Sequence, residues 1–390
     1  MNWTLLVPGA LLPPQLAPEL ARAMRAPALA HQLALARPLP PLAHGGAQPQ
    51  PAATHAAHWA WLARDFGLDA DALVTAPYAW RAAAARDAAG QADDDTLWIA
   101  HCEPVHLAIA RDHFVVTDLG DAPLQPPEAA ELLERANAVL AAAAGDGAPA
   151  LRLVVRADQW FLLSPAPLAL RTWSLDAVLG RSVQDRLPVD TGADGGAGGD
   201  ARRWRVLGNE IQMSWHASRA TAAREDAGQR PANALWLHGG GRWRPLASAP
   251  ARVLRVDAGS AEDTVLRGWQ QAGAAPAEAQ AHADTLSICR ALFGPYAHQA
   301  WESWLERLSV VEARIEAELA MARAAGAQRF DLVLCGAAQA RRIELPLQAP
   351  WWRRLRANAH PPALLLQRWL TEGAAAAGAG PRAAGRALAA

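Results

Sequence analysis

The chain has 390 residues, of which 52% are hydrophobic, and its formal net charge is −1. A chain of this length can form two or three average domains, each with a sizeable core. Its near-neutral charge argues against non-specific attraction to nucleic acid or anionic membranes, so we expect neither as a partner. All 37 basic residues are arginine, which makes any single arginine a weak signal for a phosphate ligand.

Cysteine use and hydropathy indicate the compartment. The three cysteines, Cys102, Cys289 and Cys335, are far apart and form no CxxC pair, which favours a reducing environment over a disulfide framework. The first 20 residues lack a basic region and are interrupted by prolines, unlike a signal peptide. No apolar run approaches the ~18 residues that span a bilayer. We therefore expect a soluble, cytoplasmic protein, with any protein partner unknown.

Hydrophobic periodicity and turn residues predict the secondary structure. In chain order they indicate a strand at 3–7, an irregular Pro/Gly-rich connection at 26–53, a helix at 55–66, strands at 96–100, 105–110 and 113–117, a helix at 127–144, strands at 151–156 and 160–164, a flexible linker at 190–200, a helix at 204–227, strands at 234–238 and 253–256, a helix at 298–325 and a strand at 330–335. This alternation predicts an α/β fold, a mixed sheet flanked by helices with a small ββαββ-type subdomain.

The same elements predict the domain organisation. We expect an N-terminal α/β part with a long Pro-rich loop at 1–95 and the ββαββ-type subdomain at 96–164. A C-terminal α/β part at 165–370 would carry a Pro-Ala-Asn segment, the strand after it and three consecutive glycines. The Ala/Gly-rich residues 371–390 are typical of a disordered tail.

Several catalytic signatures are absent. Without lysine there is no GxxxxGK[ST] loop, and no GxSxG, HExxH or zinc-ribbon pattern occurs. His55 and His58 are one helical turn apart and could share a metal, although exposed helix histidines are the favoured interpretation. His101, Cys102, Glu103 and His106 could also ligate a metal. On a strand, His101 and Glu103 share a face while Cys102 points the other way, and Pro104 should break the strand, which favours structural use. We assign no catalytic residue, metal ligand or cofactor.

The segment from 207 to 244 holds the predicted ligand site. Its helix has one apolar stripe and one polar stripe, and the polar stripe could line a cleft. The helix ends at Gly228, and a buried strand then leads to His238 and the glycines, where backbone N–H groups could meet an anion. Structural roles are expected first for Asn233 and the glycines. The predicted ligand-binding residues are Asn209, Gln212, His216, Arg219, Arg224, Asn233, His238, Gly239, Gly240 and Gly241.

Parts of this segment resemble a known family. Arg224, Gly228, the run Pro231-Ala232-Asn233 and the glycine-rich strand end resemble an R…G…PAN…RG.G pattern of the archaeal-type cofactor-independent phosphoglycerate mutases. Two longer stretches, NEIQMSWHASRATAAREDAGQRPANALWLHGGG and LWIAHCEPVHLAIARDHFVVTD, resemble a bacterial family described as phosphoglycerate mutases or RpfE-type regulatory proteins. The resemblance implies an alkaline-phosphatase-like fold and chemistry with a Ser or Thr nucleophile and two metals.

The sequence departs from that pattern where the chemistry would be. The family's Asp-Gly after the first strand is replaced by Val7-Pro8-Gly9, no Gly-His dipeptide occurs, and Ser218 stands where asparagine is usual. Two-metal phosphoryl transfer therefore has no visible basis. We predict a catalytically degenerate, mutase-like protein that binds a small phosphorylated or carboxylated metabolite or regulates a partner.

Two alternatives remain open. One is a metal-dependent phosphomutase or phosphatase with a rearranged site, using residues 101–113 or Asp257. The other is a structural interaction module whose tryptophans form a partner surface, with Trp301, Trp304, Trp351 and Trp352 as the first candidates.

Overall fold

The computed structural model describes residues 1–40, 54–84, 95–145, 150–191, 199–247, 249–273, 283–348 and 361–372. The helices in these ranges are α1 (Ala17–Ala23), α2 (Pro27–Leu35), α3 (Ala57–Asp65), α4 (Ala76–Ala84), α5 (Pro126–Ala142), α6 (Leu175–Val178), α7 (Asp200–His216), α8 (Arg219–Asp226), α9 (Ala261–Ala272), α10 (Phe293–Ala297), α11 (Trp301–Ala324) and α12 (Pro362–Leu370). The strands are β1 (Asn2–Val7), β2 (Arg37–Pro38), β3 (Trp98–Ala110), β4 (His113–Thr117), β5 (Arg152–Arg156), β6 (Gln159–Ser164), β7 (Leu170–Arg171), β8 (Val189–Asp190), β9 (Ala234–Arg242), β10 (Arg252–Arg255), β11 (Asp284–Ile288), β12 (Arg329–Cys335) and β13 (Ala340–Leu345).

The chain divides into two compact units. The first comprises Met1–Gln48, Arg252–Arg255 and His282–Ala390, and the second comprises Pro49–Ala251 and Val256–Ala281. Both units combine helices with sheets, so the predicted α/β class is confirmed. No helix in the described ranges is both long enough and apolar enough to cross a membrane.

The first unit is built on a six-stranded mixed sheet in the order β10-β11-β1-β12-β13-β2. Neighbours among β10, β11, β1 and β12 pair in parallel, whereas β13 and β2 are added antiparallel at one edge. One stripe of α11, including Trp304 and Leu308, shares a hydrophobic core with Leu5 of β1 and Leu332 of β12. Burial of these apolar side chains is the main stabilising term of the unit.

This packing bears on the proposed tryptophan surface. Trp304 is fully buried, and its indole Nε1 donates to the carbonyl of Gly9 at 2.8 Å. Trp301 is half-buried and meets the Tyr296 ring edge-on. Trp304 is thus a core residue and the prediction that it faces a partner is wrong, while Trp351 and Trp352 lie outside the described residues.

The second unit contains an antiparallel sheet in the order β4-β3-β6-β5, with β9 also paired to β3. Strands β3 and β4, helix α5 and strands β5 and β6 follow one another in the ββαββ order predicted for this part of the chain, with β3 taking in both strands predicted at 96–100 and 105–110. Helices α5 and α7 pack on one face, where Leu132 and Ile211 join Cys102 and Leu237 in a single core cluster. On the opposite face Trp80 of α4 meets the ring of Phe161 edge-on.

One strand is longer than predicted. Pro104 lies inside β3, which runs unbroken from Trp98 to Ala110. The strand pairs with β6 through residues 98–101 and with β4 through residues 106–110, so Pro104 falls in the gap between these two partners. The Val105 carbonyl points towards β9 and accepts from Asn233 N. Main-chain groups of successive strand residues point to opposite sides, so the nitrogen of Pro104 points away from β9. The missing N–H therefore leaves no ladder hydrogen bond unmade, and the prediction that Pro104 breaks the strand is wrong.

Three other predictions need correction. Residues 27–35, expected to be irregular, form α2, which begins at Pro27 as prolines favour. The single helix predicted at 204–227 is two helices, because the Ser218 side chain accepts from Thr221 N and caps a new helix. The long helix predicted from residue 298 starts at Trp301. Residues 192–198 of the predicted linker and 373–390 of the predicted tail lie outside the described residues.

Candidate functional site

The three consecutive glycines form part of a strand. Gly239, Gly240 and Gly241 lie within β9, which continues to Arg242 opposite Trp98. The prediction that the strand ends at His238 in a glycine loop is therefore wrong.

Close packing explains why glycine is needed at all three positions. A methyl group on Gly239 would overlap Thr75 Oγ1, one on Gly240 would overlap the Trp98 ring, and one on Gly241 would overlap Val74. Gly239 also has a φ of +62°, a conformation that side chains disfavour. The glycines let the segment around Val74 and Thr75 lie directly on β9, where Thr75 N donates to the Gly239 carbonyl at 3.1 Å.

A cleft of about 420 Å³ opens beside the end of this strand. It is lined by Leu68, Asp69, Ala72, Leu73, Val74, Tyr78, Trp98, Pro167, Gly241, Arg242 and Arg244. Its volume lies within the usual range for small-molecule sites, and its lining combines an apolar wall with a few charged groups.

Two arginines give the cleft its charge. The side chains of Arg242 and Arg244 are exposed, and neither forms an ion pair with a carboxylate in the described part of the chain. Their backbone is anchored nevertheless. Tyr78 donates its hydroxyl to the Arg244 carbonyl at 3.1 Å, and the Arg81 guanidinium lies 3.6 Å from the ring centre of Trp243 between them. Two guanidinium groups are thus presented on a fixed strand end, an arrangement suited to phosphate or carboxylate.

A histidine cluster lies further back along the same strand. His238 stacks on His101, and its Nε2 is 2.8 Å from Glu103 Oε1. Burial, followed by the interaction with His238, lowers the pKa of His101 well below its ordinary value. The same two causes, in the same order, lower the pKa of His55 to about 4. His101 and Glu103 share a face of β3 and Cys102 points to the other, as the sequence predicted.

The structure does not bring the predicted ligand residues together. Asn209, His216 and Arg219 are exposed and Gln212 is half-buried, all on the outer side of α7 or at the start of α8. These helices pack on the face of the sheet that holds Cys102 and Leu237. His238 points to the opposite face, because successive strand side chains alternate. The polar stripe of α7 therefore faces solvent. It lies away from both the cleft and the histidine cluster.

Two predicted residues have structural roles. Arg224 is 1% exposed, and its guanidinium donates to Glu128 and to the carbonyls of Ala122 and Arg230. Asn233 accepts from Leu107 N at 2.7 Å and donates to the Leu107 carbonyl at 3.2 Å, which extends the β3–β9 pairing by one step. Asn233 was expected to bond nearby backbone at its own turn, and its partner is instead Leu107 of β3.

The candidate metal ligands also separate. The favoured interpretation of His55 and His58 as exposed helix histidines is wrong, because His58 is buried and His55 is half-buried and lies before the helix. His55 precedes α3 and interacts with His238, whereas His58 lies inside α3 and contacts Asp176 at 2.9 Å. His106 Nδ1 is 2.9 Å from the Pro231 carbonyl, so it takes no part in a group with His101 and Glu103. Within the described residues, the side chains placed to share a metal ion are those of His58, Asp176 and Glu262.

Most of the cleft was not foreseen from the sequence. Trp98 and Tyr78 line it, and both come from segments more than 140 residues before Arg242. The one available signal was the pair of arginines after the glycines, and its weight was reduced because every basic residue in the chain is arginine.

Comparisons with known proteins give only remote similarities. No protein-family model matches the chain, and no curated protein matches it. Among solved structures, the chain is similar to the cofactor-independent phosphoglycerate mutase from Thermoplasma acidophilum DSM 1728, with 12% identity, a TM-score of 0.31 and coverage of 88% of this chain and 89% of that one. It is also similar to the PH0037 protein from Pyrococcus horikoshii, with 10% identity, a TM-score of 0.38 and coverage of 88% and 86%. Membership in the RpfE-type family stays a prediction.

Proposed function

We propose that the protein binds a small anionic metabolite, phosphorylated or carboxylated, in the cleft beside the end of β9. The observation that carries the proposal is the exposure of Arg242 and Arg244 in one cleft, with no ion pair to a carboxylate among the described residues. Guanidinium groups form paired, charge-assisted hydrogen bonds with phosphate and carboxylate oxygens.

The rest of the lining defines the kind of anion. Leu68, Leu73, Val74 and Trp98 form an apolar wall, so the ligand that fits best carries an apolar body on its anionic group. Asp69 is exposed at the same cleft and could accept a hydrogen bond from a hydroxyl or amine of that ligand. We propose a binding or regulatory role without mutase turnover, because no Asp-Gly follows the first strand and the sequence contains no Gly-His dipeptide, the two motifs expected of the phosphoglycerate mutases.

Calorimetric titration with inorganic phosphate, phenyl phosphate and benzoate tests the proposal. We expect phenyl phosphate to bind more tightly than inorganic phosphate, because its ring buries apolar surface. Arg244→Gln and Arg242→Gln should each weaken binding by about tenfold or more, the usual effect of losing a charged hydrogen bond. Arg111→Gln, an exposed arginine in the β3–β4 turn, is the matched control and should bind as wild type.

The competing location for the ligand is the α7–α8 surface, and an arginine-to-glutamine substitution at Arg219 tests it. Arg219→Gln should leave binding unchanged if the cleft is the site. Loss of binding in Arg219→Gln, with wild-type binding in both cleft variants, would move the ligand to the α7–α8 surface and overturn the proposal.

A further inference from the structure

Three polar side chains from three helices meet inside the second unit, outside the cleft. They are His58 of α3, Asp176 of α6 and Glu262 of α9. His58 and Glu262 are each 1% exposed at the side chain, and Asp176 is 14% exposed. The three residues are more than 80 positions apart in the sequence, so the fold alone brings them together.

The ligating atoms are close to one another. His58 Nε2 is 2.9 Å from Asp176 Oδ2 and 3.9 Å from Glu262 Oε1, and all three groups offer an atom within 4.8 Å of the others. Ligands bonded to one ion at about 2.0–2.2 Å lie no more than about 4.4 Å apart, so shifts of a few tenths of an ångström suffice to bring all three to one ion.

Neighbouring groups hold the ligands in place. Trp59 Nε1 donates to Asp176 Oδ2 at 2.9 Å, which fixes the carboxylate from outside the group. Outer hydrogen bonds of this kind orient the ligands in metal sites. Glu262 lies in the first turn of α9 and Asp176 in the short helix α6, so both carboxylates are carried by regular backbone.

The donor set indicates the class of ion. One imidazole nitrogen and two carboxylate oxygens suit first-row divalent ions such as Zn²⁺, Mn²⁺ and Fe²⁺. The group lacks the soft sulfur ligands that copper(I) prefers.

We infer that His58, Asp176 and Glu262 form a binding site for one divalent transition-metal ion, which joins α3, α6 and α9. Three protein ligands leave a coordination position for water, and Asp176 is the ligand with residual contact to solvent. This site shares no residue with the proposed anion cleft, so each can fail without the other.

Metal titration of the full chain, prepared without a polyhistidine tag, tests the inference. Chelator-treated protein is titrated with Zn²⁺ against a chromophoric chelator, and the bound metal is counted by mass spectrometry. We expect about one ion per chain, and a higher melting temperature with Zn²⁺ because the ion binds the folded state. His58→Gln and Glu262→Gln should each weaken Zn²⁺ binding by about 100-fold or more, and Trp59→Phe by about 10- to 100-fold.

The control separates this site from the other histidines. His113→Gln, in the β3–β4 hairpin, should retain wild-type Zn²⁺ affinity. Wild-type protein that stays folded yet binds no Zn²⁺ or Mn²⁺ at micromolar concentrations would overturn the inference and leave a hydrogen-bonded network. If a ligand variant does not fold, the wild-type titration decides the question.

Discussion

The ring of His238 stacks on the ring of His101, with 4.9 Å between their centroids and 26° between their planes. His101 is buried, whereas the His238 side chain keeps some exposure and reaches Glu103. Placing two imidazoles in contact makes it unfavourable for both to be charged. The fold therefore keeps His101 in its neutral form, and burial, followed by the interaction with His238, lowers the pKa of His55.

This arrangement predicts acid sensitivity. The pKa of His55 is about 4 in the folded protein, compared with the ordinary value of 6.5 expected in the unfolded chain. Between these two pH values the unfolded chain therefore binds more protons than the folded protein. The free energy of unfolding should therefore fall as the pH drops from 6.5 towards 4, and His101 adds to the same trend because its pKa is also lowered.

Urea unfolding at pH 7.5 and pH 4.5 measures the effect. His55→Gln should lose less stability between these two pH values than wild type, because glutamine takes up no proton. His113→Gln, at a more exposed position, should keep the wild-type difference. An equal loss in His55→Gln and wild type would show that His55 does not contribute.

Glycine-to-alanine substitutions at two positions, one in β9 and one in α7, should have opposite effects on stability. Gly240→Ala places a methyl group against the Trp98 ring and should destabilise the protein by about 1–3 kcal/mol. Gly208→Ala, in helix α7 with open space around it, should stabilise by about 0.5–1 kcal/mol through helix propensity. Chemical unfolding of both variants gives the comparison. Unchanged stability in Gly240→Ala would show that Trp98 moves aside easily.

Local patterns explain which parts of the fold were predictable. Alternation in VHLAIA and HFVVT indicated two strands, and these pair as the β3–β4 hairpin. Whether Pro104 interrupts its strand depends on where the pairing of β3 with β6 ends and its pairing with β4 begins. That depends on the tertiary structure and cannot be derived from the local sequence. The helix break at Ser218 had a local signal, a serine three residues before a threonine, which the surrounding alanines obscured.

The site was harder to predict for a related reason. The polar stripe of α7 was correctly located on one side of its helix, but the sequence does not state which face of the sheet that helix covers. His238 and Arg219 were therefore grouped although they lie on opposite faces. The cleft depends on Trp98 and Tyr78, which come from distant segments of the chain, and close packing at Gly240 lets the Trp98 ring lie against β9.

Asn233 offers a test of side-chain hydrogen bonds that continue a sheet. Asn233→Ala removes both bonds to Leu107 and should destabilise the protein by roughly 1–3 kcal/mol, about 1 kcal/mol per bond with a further cost for the unpaired Leu107 groups. Asn209→Ala, at an exposed position of α7, should change stability by less than about 0.5 kcal/mol. Urea unfolding distinguishes the two. Equal stabilities would mean that water replaces the amide of Asn233.

Arg224 decides whether the Pro-Ala-Asn segment is a binding site or a framework. Its Nη1 lies 3.1 Å from Glu128 Oε2, and Glu128 also accepts from Gln125 N at 2.7 Å as part of the capping box of α5. Its Nε donates to the Arg230 carbonyl at 2.8 Å, so one guanidinium ties the start of α5 to the chain after α8. Arg224 is 1% exposed, so its guanidinium is bound by these internal partners and is not available to a ligand.

Truncation should therefore destabilise the second unit. Arg224→Ala leaves Glu128 and the carbonyls of Ala122 and Arg230 without their donor, and should cost about 3–5 kcal/mol of unfolding free energy. Arg224→Lys should recover only part of this loss, because an ammonium cannot reproduce the planar fork. Arg219→Ala, whose side chain is 94% exposed, is the control and should stay within about 0.5 kcal/mol of wild type. If Arg224→Ala kept its stability and lost phenyl phosphate binding instead, the segment would be a ligand site and the cleft at β9 would not.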